Sequence, residues 1–201
     1  PKAALTAMVV PTRMRIDPNL TLLQQWLSPA YPVGAYAYSH GLAAAVETGA
    51  ISDAADLRLW LEDLLTYGAG HSDPILLVAA YQSETADQLQ DIDQLARTFA
   101  PSKERLAETN LQGTAFCQTT TAISPHDIPD LTYPLGLGHA ARLHDLPLDM
   151  TVHMYLHGFV SNLVAAAQRL MPVGQVEGQR ILTALAPLIA QSAQDAVTSD
   201  I

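Results

Sequence analysis

Residues 152–167 read Val-His-Met-Tyr-Leu-His-Gly-Phe-Val-Ser-Asn-Leu-Val-Ala-Ala-Ala, and their spacing decides the fold class. Val152, Tyr155, Leu156, Phe159, Val160, Leu163, Val164 and Ala167 recur every three or four residues, so they form one apolar stripe on a long helix. The same rhythm runs outward in both directions. Leu57, Trp60, Leu61, Leu64 and Leu65 repeat it, with Arg58, Glu62 and Asp63 projecting elsewhere. Ile92, Leu95, Ala96 and Phe99 follow it, as do Ile181, Leu182, Leu185, Leu188 and Ile189. No stretch alternates with the period of two that a half-buried strand requires. The expectation is an all-α, single-domain irregular bundle of about eight to ten helices over residues 19–201. Residues 1–18 read as a poorly ordered N-terminal extension.

Helix ends can be assigned from local chemistry. Asp53 can cap the helix that follows it, and Gly49 can end the one before. Ser72 ahead of Asp73-Pro74 looks like a helix start, because proline lacks an N–H that the first turn would leave unpaired anyway. Pro101-Ser102 should separate a helix ending near Phe99 from one over about Lys103 to Thr121. Ser124-Pro125 through Pro129 reads as a loop. Asp149 is the expected cap of the long helix, and Met171-Pro172 its end. Pro187 should kink or split the last helical stretch. Gly113 should mark the close approach of another helix.

Composition narrows the function classes. The chain has 201 residues, 49% hydrophobic and 15% charged, as a folded globule does. No apolar run reaches the roughly 18 residues of a membrane span. The segment from Pro1 to Pro11 lacks the basic start and cleavage site of a signal peptide. One cysteine, Cys117, rules out an intrachain disulfide framework and suits a reducing cytosol. The formal net charge is −10, and ten acidic residues against the single base Arg58 lie between Glu47 and Asp93. Phosphate backbones repel such a surface, which argues against nucleic acid. The acidic stretch is either a well-solvated helical face or a surface that steers a basic partner.

Two stretches break the helical rhythm. Residues 28–41 read Ser-Pro-Ala-Tyr-Pro-Val-Gly-Ala-Tyr-Ala-Tyr-Ser-His-Gly, where Pro29 and Pro32 forbid a regular helix and Gly34 permits a positive φ. Residues 171–180 read Met-Pro-Val-Gly-Gln-Val-Glu-Gly-Gln-Arg, a polar turn between two apolar helices. Its amide and guanidinium groups suit either recognition of a partner or the tying of neighbouring helix ends.

A search for catalytic chemistry finds little. His153 and His157 lie four apart on the long helix, the spacing for two imidazoles on one metal ion, but Met154 stands where a zincin carries Glu. His126, His139 and His144 form a looser group without ligand spacing. Ala37-Tyr38-Ser39-His40-Gly41 resembles a nucleophile elbow, yet no strand leads into it, and Ser39 reads better as the cap of a helix from His40 to Thr48. Lys2 and Lys103 are the only lysines, and neither sits in a glycine-rich phosphate loop. Cys117 reads as a buried structural thiol. An all-α enzyme using His153, His157 or Glu108, or a direct metal carrier using the histidines, are the competing functional classes.

The irregular stretches carry a resemblance. Ser28 through Gly34, Tyr38-Ser39-His40-Gly41-Leu42 and Glu47-Thr48-Gly49 are similar to the N-terminal block of the urease accessory protein UreF family. Trp60 through Leu65, Gly70-His71-Ser72-Asp73, Glu108-Thr109 with Gly113 and Phe116, Asn162-Leu163-Val164, Arg169 through Gln175 and Gly178-Gln179-Arg180 resemble its later blocks in order. The resemblance implies an all-α protein with no catalytic activity or cofactor of its own, for which cytoplasm is the default from composition, with a direct nickel carrier using the histidines as the alternative. It implies partners too: UreD (also UreH), the GTPase UreG, apo-urease awaiting nickel, and a second copy in a homodimer. The partner-binding residues expected on this basis are Pro32, Gly34, Tyr38, Ser39, Glu62, Asp63, Gly174, Gln175, Gly178, Gln179 and Arg180.

Overall fold

The computed structural model describes residues 18–34 and 38–199. The extension expected over residues 1–18 lies outside them except for Pro18, which opens the first helix. In chain order the helices are α1 (Pro18–Trp26), α2 (Leu42–Glu47), α3 (Ala54–Tyr67), α4 (Ala69–Gln82), α5 (Ala86–Phe99), α6 (Lys103–Ile123), α7 (Tyr133–Leu143), α8 (Leu148–Leu170) and α9 (Gln175–Thr198). Among the described residues there is no strand, and no helix is long and apolar enough to cross a membrane.

The stripe that opened the sequence reading is the inner face of α8. Val152, Leu156, Val160 and Ala167 are fully buried, and Phe159 is half-buried at one edge. α8 packs along α9, while α4 lies centrally against α3, α5, α7, α8 and α9. Leu77, Val78 and Ala80 of α4 meet Leu135, Leu137, Ala140 and Ala141 of α7 in the core. Cys117 is buried, and burial pushes its thiol up to about 11, so it is an inert packing group.

Most expected ends stand. Asp53 accepts from the N–H groups of Ala55 and Asp56 at 2.8 and 2.9 Å, and Ser102 caps α6 through the N–H of Arg105 at 3.1 Å. Gly49 follows α2 with φ 76°, and α8 ends at Leu170.

Five differ. α4 starts at Ala69, ahead of Ser72, because α3 turns straight into it at Gly68, whose carbonyl accepts from His71 and Ser72. Pro74 therefore sits inside α4, buried in the core. Pro147 heads α8 with its carbonyl on Thr151 N–H, and Asp149 complements the dipole from the first turn. α9 runs unbroken through Pro187, since Ile181, Leu185, Ile189 and Ala193 bury enough apolar surface to outweigh a cost of about 3 kcal/mol. At Gly113 the approaching group is the backbone of Leu131–Tyr133 entering α7, not a helix face. Finally, α2 begins at Leu42 behind Gly41 with φ 88°, and the Ser39 hydroxyl reaches only Ala43 N–H, at 3.4 Å.

Two histidines make the fold acid-sensitive. His139 Nδ1 and His144 Nε2 are buried without hydrogen-bond partners, and the His144 ring lies against Trp26 at 5.2 Å and His126 at 4.7 Å. Burial holds both imidazoles below their ordinary value, helped by Arg142 at His139 and by His126 at His144, with Asp145 opposing at His144. A depressed folded-state pKa means the unfolded chain binds more protons. Stability is therefore full above the unfolded value of about 6.5 and is lost as pH falls from there through the folded value. The melting temperature should be flat above neutrality and decline below it, and His144→Phe should flatten the decline. A melting temperature that rises on acidification in this window contradicts the assignment.

Candidate docking site

The described residues of the first irregular stretch, 28–34 and 38–41, are braced from beneath. Tyr31 and Val33 are buried on either side of exposed Pro32, and Tyr31 Oη hydrogen-bonds Thr120 Oγ1 of α6 at 2.8 Å. Val33 N–H donates to the Tyr31 carbonyl at 2.8 Å, a tight turn centred on Pro32, and Gly34 follows with φ 70°. Residues 171–174 repeat this arrangement. Met171 and Val173 are buried, Pro172 is exposed between them, and Val173 N–H donates to the Met171 carbonyl at 2.8 Å. Both turns read Pro-Val-Gly, at 32–34 and 172–174. Each fixes a proline at the surface by burying the residues beside it.

The polar residues expected in a turn over 174–180 belong to the first two turns of α9, with Gly174 before them. The turn itself is confined to 171–174, because the Gly174 carbonyl already accepts from Gly178 N–H at 2.9 Å. Gln175, Gln179 and Arg180 are exposed. Arg180 pairs only with Glu177 on its own helix, at 2.9 Å, and its side chain is 72% exposed. These groups therefore do not tie helix ends together. Gly178 faces inward, where an added Cβ would come within 2.3 Å of the Gln168 amide, so α8 and α9 close tightly there.

On α3 the two expected acids differ. Asp63 is exposed, while Glu62 is half-buried and held by Arg58 at 2.5 Å. His153 and His157 are exposed on α8, on the side away from Tyr155 and Phe159. Among the described residues no three His, Cys, Asp or Glu side chains group to hold a metal. Glu108 is not brought to either histidine. It lies in a buried charge cluster on the opposite face of α8.

That cluster gathers three helices and the first segment. Asp73 of α4 accepts from Arg105 of α6 at 2.5 Å and from Tyr155 Oη of α8 at 2.9 Å through one oxygen. Glu108 Oε1 receives His40 Nε2 at 3.1 Å, Arg105 Nη1 at 3.3 Å and Gln112 Nε2 at 3.2 Å. His40 holds φ 51°, rare for a non-glycine residue, with its ring against Phe159 at 4.9 Å. The strain is held because the imidazole is gripped from both sides. Burial drives the Asp73 carboxyl above its ordinary value despite Arg105 and Tyr155. Burial also acts on Glu108, but the bonds and charges of His40 and Arg105 outweigh it and hold that carboxyl low.

Two carboxyls pushed apart in this way can mark an acid–base pair. Here the small cavity at the cluster is only about 40 Å³, room for a few waters, while Asp73, Arg105 and Glu108 also line a wider groove of about 720 Å³. The cluster's evident work is to anchor Tyr38–Gly41 to α4, α6 and α8. Sequence reasoning missed Asp73, Arg105, Gln112 and Tyr155 because their partners are far apart in the chain. The available signal was Asp73, a lone carboxylate among Ala69, Leu76, Leu77 and Ala80 on one face of α4; Arg105 gave none, because Glu108, Thr109 and Gln112 share its face of α6.

Comparison with known proteins gives the arrangement a family. The UreF family model matches residues 51–186. Urease accessory protein UreF of Ruegeria sp. (strain TM1040) is 56% identical over 179 residues, covering 89% of this chain and 84% of that protein. The protein of the same name from Roseobacter denitrificans is 51% identical over 181 residues, covering 90% and 81% respectively. That from Ruegeria pomeroyi is 45% identical over 194 residues, covering 96% and 88%. A model match over more than half the chain, with relatives this close over nearly its whole length, has one reading: the chain belongs to the UreF family of urease accessory proteins.

Proposed function

We propose that this chain is a non-catalytic docking scaffold of urease maturation in the cytoplasm. On this reading it joins UreD (UreH), recruits the GTPase UreG and modulates it while nickel enters apo-urease, and it works as a homodimer. The observation that carries the reading is the pair of Pro-Val-Gly turns. Each is braced by buried neighbours, and the second leads into exposed Gln175, Gln179 and Arg180. Polar side chains on a rigid base lose little freedom on binding, which is what a hot spot needs. Exposed Asp63 is the acid free to meet a basic UreG surface, since Glu62 is engaged by Arg58.

Replacing Gln179 and Arg180 together with Ala should abolish co-elution with UreD and urease activation. The melting temperature should stay near wild type, because neither side chain braces another helix. In the same assay Asp63→Lys should weaken UreG capture. Retained co-elution of the Gln179/Arg180 variant would remove α9 from the UreD surface.

A further inference from the structure

A groove of about 720 Å³ opens between the C-terminal ends of α3 and α5 and the N-terminal ends of α4 and α6. Tyr38 and Ser39 of the braced first segment form part of its wall. Its rim carries two aromatic rings with almost no cover: Tyr67 is 82% exposed and Phe99 is 75% exposed. Leu64, Leu76 and Ala96 continue the apolar lining inward. Exposed aromatics gathered on one concave surface are the composition of an interface core rather than of ordinary solvated surface.

The charge around the groove selects the occupant. Asp73, Glu104 and Glu108 line it against one guanidinium, Arg105, which is already shared between Asp73 and Glu108. The wall helices α3, α4 and α5 carry seven acids and two arginines. Both arginines are already engaged, Arg58 on Glu62 of its own helix and Arg97 on Asp93 of its own helix and Asn110 of α6. The positive end of α6 is met by the Ser102 hydroxyl and by Glu104 in its first turn. A cation therefore gains on approach, and an anion is repelled.

We propose that this groove docks a partner segment presenting aliphatic or aromatic side chains together with Lys or Arg. The inference rests on the scaffold reading and specifies the chemistry that the Tyr38–Ser39 wall receives. The apolar side chains cover Tyr67 and Phe99 while the cation sits by Glu104.

Fluorescence anisotropy of the full chain with labelled synthetic peptides tests this. The probe is a peptide of about 14 residues, roughly four helical turns, with Leu on one face and Lys on the other. One control carries Glu for Lys, and a second carries Ser for Leu. The Leu/Lys peptide should bind at least about tenfold tighter than either control, and Phe99→Ser and Glu104→Lys should each weaken it about tenfold. Both positions are exposed, so the variants should keep the wild-type helical spectrum. Equal binding of the three peptides overturns the proposal, as does binding indifferent to both substitutions. A Phe99→Ser variant that loses self-association while peptide affinity is unchanged also overturns it, making a second copy the occupant. Co-elution of the unaltered chain with UreD and UreG reads the scaffold function separately. Co-elution without peptide preference sinks the groove alone, and peptide preference without co-elution sinks the scaffold reading alone.

Discussion

Arg105→Met should lower stability by about 3–5 kcal/mol at neutral pH, the loss expected when one partner of a buried ion pair is removed. For a chain of this size that is a fall in melting temperature on the order of 10 °C. Arg105 is the guanidinium between Asp73 and Glu108, whose side chains are 8% and 6% exposed. Met fills much of the stem's volume, so the loss reports charge rather than packing. The two carboxyls then behave differently. Asp73 already lies above its ordinary value through burial, and without the guanidinium it takes up a proton rather than stay charged. Such a raised group gives stability that is present at low pH and lost as pH rises through the folded value. Wild-type Glu108 is held low, so its contribution is present above the unfolded value and lost as pH falls through the folded one. Between pH 8 and pH 5 the Asp73 trend narrows the gap between variant and wild type, and the Glu108 trend adds to it only below the ordinary carboxylate value of about 4.3. Chemical denaturation at pH 5 and pH 8 should show a smaller difference at pH 5, and Asp73→Asn beside Arg105→Met should recover part of the loss. A difference independent of pH would mean that packing, not charge, holds this corner.

The contrast between the stripe of α8 and this cluster shows what a single sequence discloses. Periodicity is local, so Val152 through Ala167 announce a helix and its inner face without knowledge of anything else. Asp53 as a cap is equally local, since it needs only the two N–H groups that follow it. Asp73 pairs with residues 32 and 82 positions away, and no pattern along the chain connects them. Proline misled twice for a related reason. Pro74 and Pro187 each remove one helical hydrogen bond, but whether a helix survives depends on the surface it buries elsewhere. The polar stretch after Met171 reads as a turn because its amide and guanidinium groups, with Gly178 among them, fall between two apolar helices. Gly178 is instead there for the contact with α8, where any Cβ would strike Gln168 and Val164. The candidate partner-facing residues were legible as departures from rhythm. The tertiary bracing beneath them, Tyr31 on Thr120 and His40 on Glu108, was not.

Gly113→Ala and Gly158→Ala should move stability in opposite directions, although both glycines lie in the interior of long helices. Helix propensity alone favours Ala by about 1 kcal/mol at either position. At Gly158 of α8 that term stands nearly unopposed, because an added Cβ would only touch Leu27 at 4.0 Å, an ordinary contact. Gly158→Ala should therefore raise stability by about 0.5–1 kcal/mol. At Gly113 of α6 the same Cβ would lie 2.0 Å from the Leu131 carbonyl oxygen and 2.7 Å from backbone atoms of both Thr132 and Tyr133. These are backbone atoms that cannot rotate away as a side-chain tip does. They are also fixed from the other side, since the Thr132 N–H and hydroxyl both donate to Asp93, at 2.8 and 2.9 Å. Relief would require the N-terminus of α7 to move off α6, breaking the Asp93 bonds and opening the core around Phe116. Gly113→Ala should thus cost about 3 kcal/mol after the propensity gain, the upper end of overpacking penalties. Paired equilibrium unfolding of the two variants gives the test. Equal stabilisation of both would show that α7 does not press on α6 at Gly113, and would remove the contact that sets the position of α7 against α6.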